Sequence, residues 1–75
     1  MTSPGSEDPA RIARLNSVSD RALQVFGNLL MAFHWLRTPN RALSGAVPLT
    51  LLDSDTGAAR VIDTLARIER GEATE

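Results

Sequence analysis

Apolar positions recur at helical spacing along most of the chain, most clearly near its end. Ala58, Val61, Ile62, Leu65 and Ile68 follow at steps of three and four, while Arg60, Asp63, Arg67 and Arg70 face away. That is the single apolar stripe of an amphipathic helix. It predicts a helix over about 56–70, with acceptors for its N-terminus at Asp53, Ser54 and Asp55. Gly71 fits the position just past the helix end, where a positive φ is wanted. Asp63 precedes Arg67 by four residues, a mildly helpful pair.

Upstream the stripes are shorter. Asp8-Pro9 is a helix start, an acceptor followed by Pro at the first helical position, and predicts a short helix over 9–16 with Ile12 and Leu15 on one face. Ser17 or Ser19 can cap a second helix, with Asp20 in its first turn and Val18, Ala22, Val25 and Phe26 at helical spacing. Gly27 stops it. Asn28 opens a third helix that runs to Arg37 or Thr38, because the residue before Pro39 avoids helical backbone. Residues 39–45 read as a turn, or one helical turn carrying Leu43, with Gly45 at positive φ. Val47-Pro48 then opens another short helix with Leu49, Leu51 and Leu52. No segment alternates with period two, so no sheet is expected. The pattern predicts an all-α fold, a compact bundle of four to five short helices with tight connections. Residues 1–8, rich in Ser, Gly, Pro and acid, read as a disordered leader, 9–71 as one helical domain, and 72–75 as an acidic tail.

Size changes what such a bundle needs. A domain of 75 residues buries only about 60% of its unfolded surface and usually needs a staple. There is no cysteine, which excludes disulfides and thiolate zinc sites. One histidine and scattered carboxylates make no metal cluster. Association is the remaining expected source of stability. The longest apolar run, 29–33, is far short of a membrane span, and no N-terminal signal is present, so a cytoplasmic location is expected.

The charge is eight arginines, no lysine and nine acids, and it is unevenly spread. Residues 1–25 sum to zero. Residues 26–52 hold Arg37 and Arg41 with no acid, and residues 53–75 carry a net negative charge. Two arginines do not make the dense basic patch that nucleic acid demands, so DNA or RNA binding by this chain alone is not expected.

Catalytic chemistry is missing its parts. There is no Gly-rich phosphate loop, and cysteine and lysine nucleophiles are absent. His34 has no carboxylate three or four residues away to orient it, and reads as a partly buried structural residue. The pairs Asp53/Asp55 and Glu72/Glu75 fall at helix ends or in the tail, where they act as caps or solvated charge rather than an acid/base couple. No enzyme, catalytic residue, metal or cofactor is expected. Trp35, Phe33 and Leu36 read as core, and Pro39-Asn40 with Gly45 as structural punctuation. Leu29, Leu30 and Met31 make the third helix apolar nearly all round, and so are candidates for an oligomer interface.

From about Leu15 onward the chain carries, in order, Ala22 with Val25-Phe26-Gly27, Trp35-Leu36-Arg37-Thr38-Pro39-Asn40, Leu43-Ser44-Gly45, Pro48-Leu49 with Leu51-Leu52, Gly57 with Val61, and Leu65 with Arg67-Ile68-Glu69 and Gly71. In these residues and their order it resembles the toxin-binding domain of the Xre/MbcA/ParS antitoxins. The resemblance implies an antitoxin that neutralises a RES-domain toxin, a protein that consumes or transfers from NAD. It also implies that the C-terminal end reaches into the toxin's cofactor cleft. Carried onto this sequence, the toxin-binding residues would be Ile68, Arg70, Gly71, Glu72, Ala73, Thr74 and Glu75, with Arg37 and Arg41 as further contacts in acid-free surroundings. Free carboxylates in such a tail would mimic dinucleotide phosphates. The implied assembly is a toxin–antitoxin complex containing a homo-oligomer of this chain. Family members usually carry a further N-terminal, DNA-reading region, and Leu29-Leu30-Met31 stands where charged residues are expected. On the residues alone, a DNA-binding autorepressor and a bare helical dimerisation module stay open as alternatives.

Overall fold

Asp8 lies in extended backbone, and its carboxylate accepts a hydrogen bond from the Ala10 amide at 3.0 Å, with Pro9 in the first helical position. This cap starts α1 (Pro9–Phe26). The structure is a computed structural model and describes residues 8–72. Of the expected leader it describes Asp8 alone, which is the cap.

The break expected at Ser17 or Ser19 does not occur: α1 is one helix of 18 residues. Leu15, Val18, Ala22 and Val25 stay in phase across both serines, and Val18 and Ala22 are fully buried. A serine inside a helix costs only about half a kcal/mol, which the burial of that continuous stripe exceeds. Gly27 then takes φ 68°, and its amide donates to the Leu23 carbonyl at 2.7 Å, the single-bond left-handed stop. Asn28 returns at once to extended backbone and caps α2 (Leu29–Arg37), its side-chain oxygen accepting from the Met31 amide at 3.0 Å. The two-residue joint turns α2 back against α1.

Thr38 is extended, as the following proline requires. Asn40 organises the next six residues. Its carbonyl accepts from the Leu43 and Gly45 amides, its amide donates to the Ala46 carbonyl at 3.0 Å, and its side-chain oxygen accepts from the Ala42 amide at 2.8 Å. These bonds close a loop around one 3-10 turn (Arg41–Leu43) and require Ser44 and Gly45 at φ 60° and 84°. A second 3-10 turn (Pro48–Leu51) leads to Ser54, whose hydroxyl accepts from the Gly57 amide and caps α3 (Asp55–Glu69). At the far end, the Gly71 amide donates to the Ile68 carbonyl at 3.0 Å and the Glu72 amide to the Arg67 carbonyl at 2.8 Å, with Gly71 at φ 79°. This is the two-bond Schellman closure.

The described chain therefore has three α-helices and two 3-10 turns, in place of four to five short helices. Between α2 and α3 the chain closes only two short 3-10 turns, the first stopped by Ser44 and Gly45 in left-handed backbone. The core is Val18 and Ala22 of α1, Ala32 and Leu36 of α2, Ala58, Val61 and Leu65 of α3, with Leu43 and Leu52 from the connections.

Four burial expectations change. Ala32 and Leu36 define the inner side of α2, and at about 100° per residue Phe33 is rotated well off it and His34 points nearly opposite. Phe33 is 41% exposed, and His34 is exposed rather than partly buried. Trp35 is only half-buried, packed on Phe26 with ring centroids 6.0 Å apart. Of the pair expected on the first helical face, Leu15 packs against the core and Ile12 is left outside.

Candidate partner-binding surface

The distribution of ion pairs sets the electrostatics of the surface. Arg11 of α1 pairs with Asp53 at 2.9 Å, Arg14 with Asp55 at 2.8 Å, and Arg21 with Glu69 at 3.5 Å. Arg67 pairs with Asp63 at 3.2 Å, the expected four-residue spacing, and Arg70 with Glu72 at 2.9 Å. Each described acid of the last third thus has an arginine, and three of those arginines come from α1. Ser54, between the two loop aspartates, is the cap; Asp53 and Asp55 instead anchor α1. Among the described residues Arg37, Arg41 and Arg60 make no ion pair, and the first two sit in the acid-free middle of the chain.

On that acid-free side lies an open groove of about 550 Å³, between α2, the first 3-10 turn and the end of α3. Half-buried Phe26, Trp35 and Ile68 form its floor, and exposed Met31, His34, Pro39 and Arg41 its edges. Helical spacing explains the α2 contribution: Met31, His34 and Trp35 lie three and four residues apart, on the side of α2 turned from Leu29 and Phe33. Sequence reasoning singled out Ile68, Arg41 and Met31 for three separate reasons; the fold gathers them around one groove.

The other predicted residues are placed differently. Leu29 and Leu30 do not line the groove; they are exposed at the start of α2, Leu30 by 81%. Arg37 is exposed, seven residues from Leu30 and on the same outer face. Arg70, Gly71 and Glu72 are exposed at the end of α3, and Ala73, Thr74 and Glu75 lie outside the described residues. Phe26, Trp35 and Pro39 belong to the groove although sequence reading gave them to the core or to chain punctuation. The available signal was Met31 and Trp35 one turn apart.

Glu72 is held by a two-pronged pair, Arg70 Nε to Oε2 at 2.9 Å and Nη2 to Oε1 at 3.2 Å. That hydrogen bonding, and then the arginine's charge, hold the Glu72 carboxyl below its ordinary range and raise Arg70. Among the described residues no cluster of side chains could hold a metal ion, and no helix is long and apolar enough to cross a membrane.

The family described as the antitoxin Xre/MbcA/ParS C-terminal toxin-binding domain matches residues 21–71, from the last turns of α1 through the groove to the Schellman glycine. An antitoxin Xre from Yersinia enterocolitica is 39% identical over 66 residues, which is 87% of this chain and 45% of that protein. Another from Photorhabdus laumondii is 36% identical over 67 residues, 88% of this chain and 45% of that protein. A 48-residue stretch, 64% of this chain, is 40% identical to 15% of a 6-hydroxy-3-succinoylpyridine 3-monooxygenase HspA from Pseudomonas putida. The chain thus spans less than half the length of the two antitoxins. No solved structure matches.

Proposed function

The chain belongs to the antitoxin Xre/MbcA/ParS C-terminal toxin-binding domain family, and from that membership we propose that it is the part of an antitoxin that binds and neutralises a RES-domain toxin in the cytoplasm. It works by binding and runs no reaction of its own. The similarity to the monooxygenase covers too little of that enzyme to bring its chemistry here.

One observation carries the reading: the family match runs through α3 and ends on Gly71, the residue that aims the chain after the helix. In this reading the segment from Ile68 to Glu75 enters the toxin's NAD cleft. The Schellman closure supports it, since a fixed exit direction lowers the ordering cost of presenting the segment. The ion pair refines it. Glu72 is already held by Arg70, so a toxin arginine that engages Glu72 competes with Arg70. Leu29, Leu30 and Met31, exposed together at the start of α2, are the proposed contact between copies of this chain.

The test is co-expression with a RES-domain toxin, reading growth and cellular NAD, with the full chain and with a chain lacking residues 71–75. The shortened chain is expected to lose protection while keeping its helical circular dichroism. Full protection by the shortened, folded chain overturns the occlusion mechanism.

A further inference from the structure

We propose that the groove between Trp35 and Ile68 docks an acidic segment of the toxin, one that places a bulky apolar side chain on the aromatic floor and carboxylates beside Arg41 and His34. This rests on the toxin-binding reading above and adds a second contact next to the C-terminal segment, the two meeting at Ile68.

Shape and charge both point to that occupant. The floor is apolar and only half-covered: Phe26 and Trp35 pack against the core on one side and open outward on the other, and half-buried Ile68 completes it. Such a pocket suits one large apolar anchor. Arg41 and His34 stand at its edge, and residues 26–52 contain no carboxylate. Among the described residues, the acids on α3 and the segments flanking it are each engaged by an arginine: Asp53, Asp55 and Glu69 by α1, Asp63 by Arg67 and Glu72 by Arg70. None of the residues lining the groove is acidic. Among the described residues Arg41 therefore makes no ion pair at the edge of an apolar surface, where a partner carboxylate is favoured and a basic segment is repelled. Asn40, also in the lining, contributes no competing anchor, because its side-chain oxygen is spent on the Ala42 amide.

Trp35 reports directly on occupancy, being the single tryptophan in a chain with no tyrosine. The probe is a tryptophan-free synthetic peptide with a leucine and a phenylalanine flanked by glutamates, compared with its lysine-flanked twin. Trp35 emission is expected to shift saturably with the acidic peptide alone. The apparent Kd is expected to weaken about tenfold in Arg41→Glu and again at high salt. Met31→Ser is expected to weaken both the shift and the affinity, with circular dichroism showing that each variant keeps its helices. An equal response to both peptides, no response to the acidic one, or an Arg41→Glu variant that binds as the parent does overturns the proposal. Emission that still changes with protein concentration in Leu30→Asp, before any peptide is added, overturns it too, in favour of a second copy seated in the groove. The peptide titration uses neither toxin nor residues 73–75, so its failure leaves the occlusion reading standing, and loss of that reading leaves the groove result intact.

Discussion

Gly57 lies against the backbone carbonyl of Leu51: a methyl group added to it would run into that oxygen and sit 2.9 Å from the carbonyl carbon. The second 3-10 turn and the first turn of α3 meet at this point, and the absent side chain lets them approach. Gly→Ala inside a helix ordinarily gains up to about 1 kcal/mol. Gly57→Ala is expected instead to cost about 1–3 kcal/mol, since the obstacle is backbone and cannot swing aside. Urea unfolding followed by circular dichroism gives the sign, and a stabilised variant would refute the close approach.

Arg14 and Asp55 are unequal partners. Asp55 is almost fully exposed, while Arg14 is 17% exposed and also donates to the Leu52 carbonyl at 3.1 Å. Asp55→Ala removes a surface pair and is expected to cost less than about 1 kcal/mol. Arg14→Ala also strips a partner from a part-buried carbonyl and removes packed stem atoms, so about 1–2 kcal/mol is expected. Equal losses in the two single variants would mean that the backbone contact contributes nothing.

The Arg70–Glu72 pair predicts a titration. The Glu72 carboxyl is lowered from its ordinary value of 4.5 by the arginine's hydrogen bonds and charge. A depressed folded value means that the pair's contribution is fully present above about pH 4.5 and is lost as pH falls through the lower, folded value. Carbon-detected NMR of the side-chain carboxyl is expected to show a midpoint below 4.5, returning toward it in Arg70→Ala. An unshifted midpoint in the parent chain would mean that the pair does not persist in solution.

Leu30 is 81% exposed on a helix whose inner side is already filled by Ala32 and Leu36. Leu30→Asp therefore removes no core contact, and a change of less than about 0.5 kcal/mol in stability is expected where the position is free. If the start of α2 joins two copies, the same change lowers the mass seen by sedimentation. A parent and variant of equal mass would remove Leu29, Leu30 and Met31 from the oligomer interface.

Much of the local structure was legible because short-range chemistry decides it. Asp8, Asn28 and Ser54 cap helices, Gly27, Gly45 and Gly71 take positive φ, and Thr38 ends α2 ahead of proline. Each of these acts over four or five residues. The misreading of α1 arose at the same scale: Ser17 and Ser19 are good caps, but a cap competes with the continuing helix, and burial of Val18 and Ala22 tips that competition.

What the chain determines by itself is therefore where helices begin and end, that no thiol or lysine chemistry is available, and which antitoxin motif it carries. The fold alone decides which sides of those helices meet. Phe33 and His34 look like neighbours of the core in sequence, yet α2 turns them outward once Ala32 and Leu36 are packed. The last third looks acidic as a segment, yet its described carboxylates are met by arginines as far as 42 positions away, as in Arg11–Asp53. Burial and long-range ion pairing depend on the relative placement of helices, and that placement is a property of the packed core as a whole, which no local run of residues encodes.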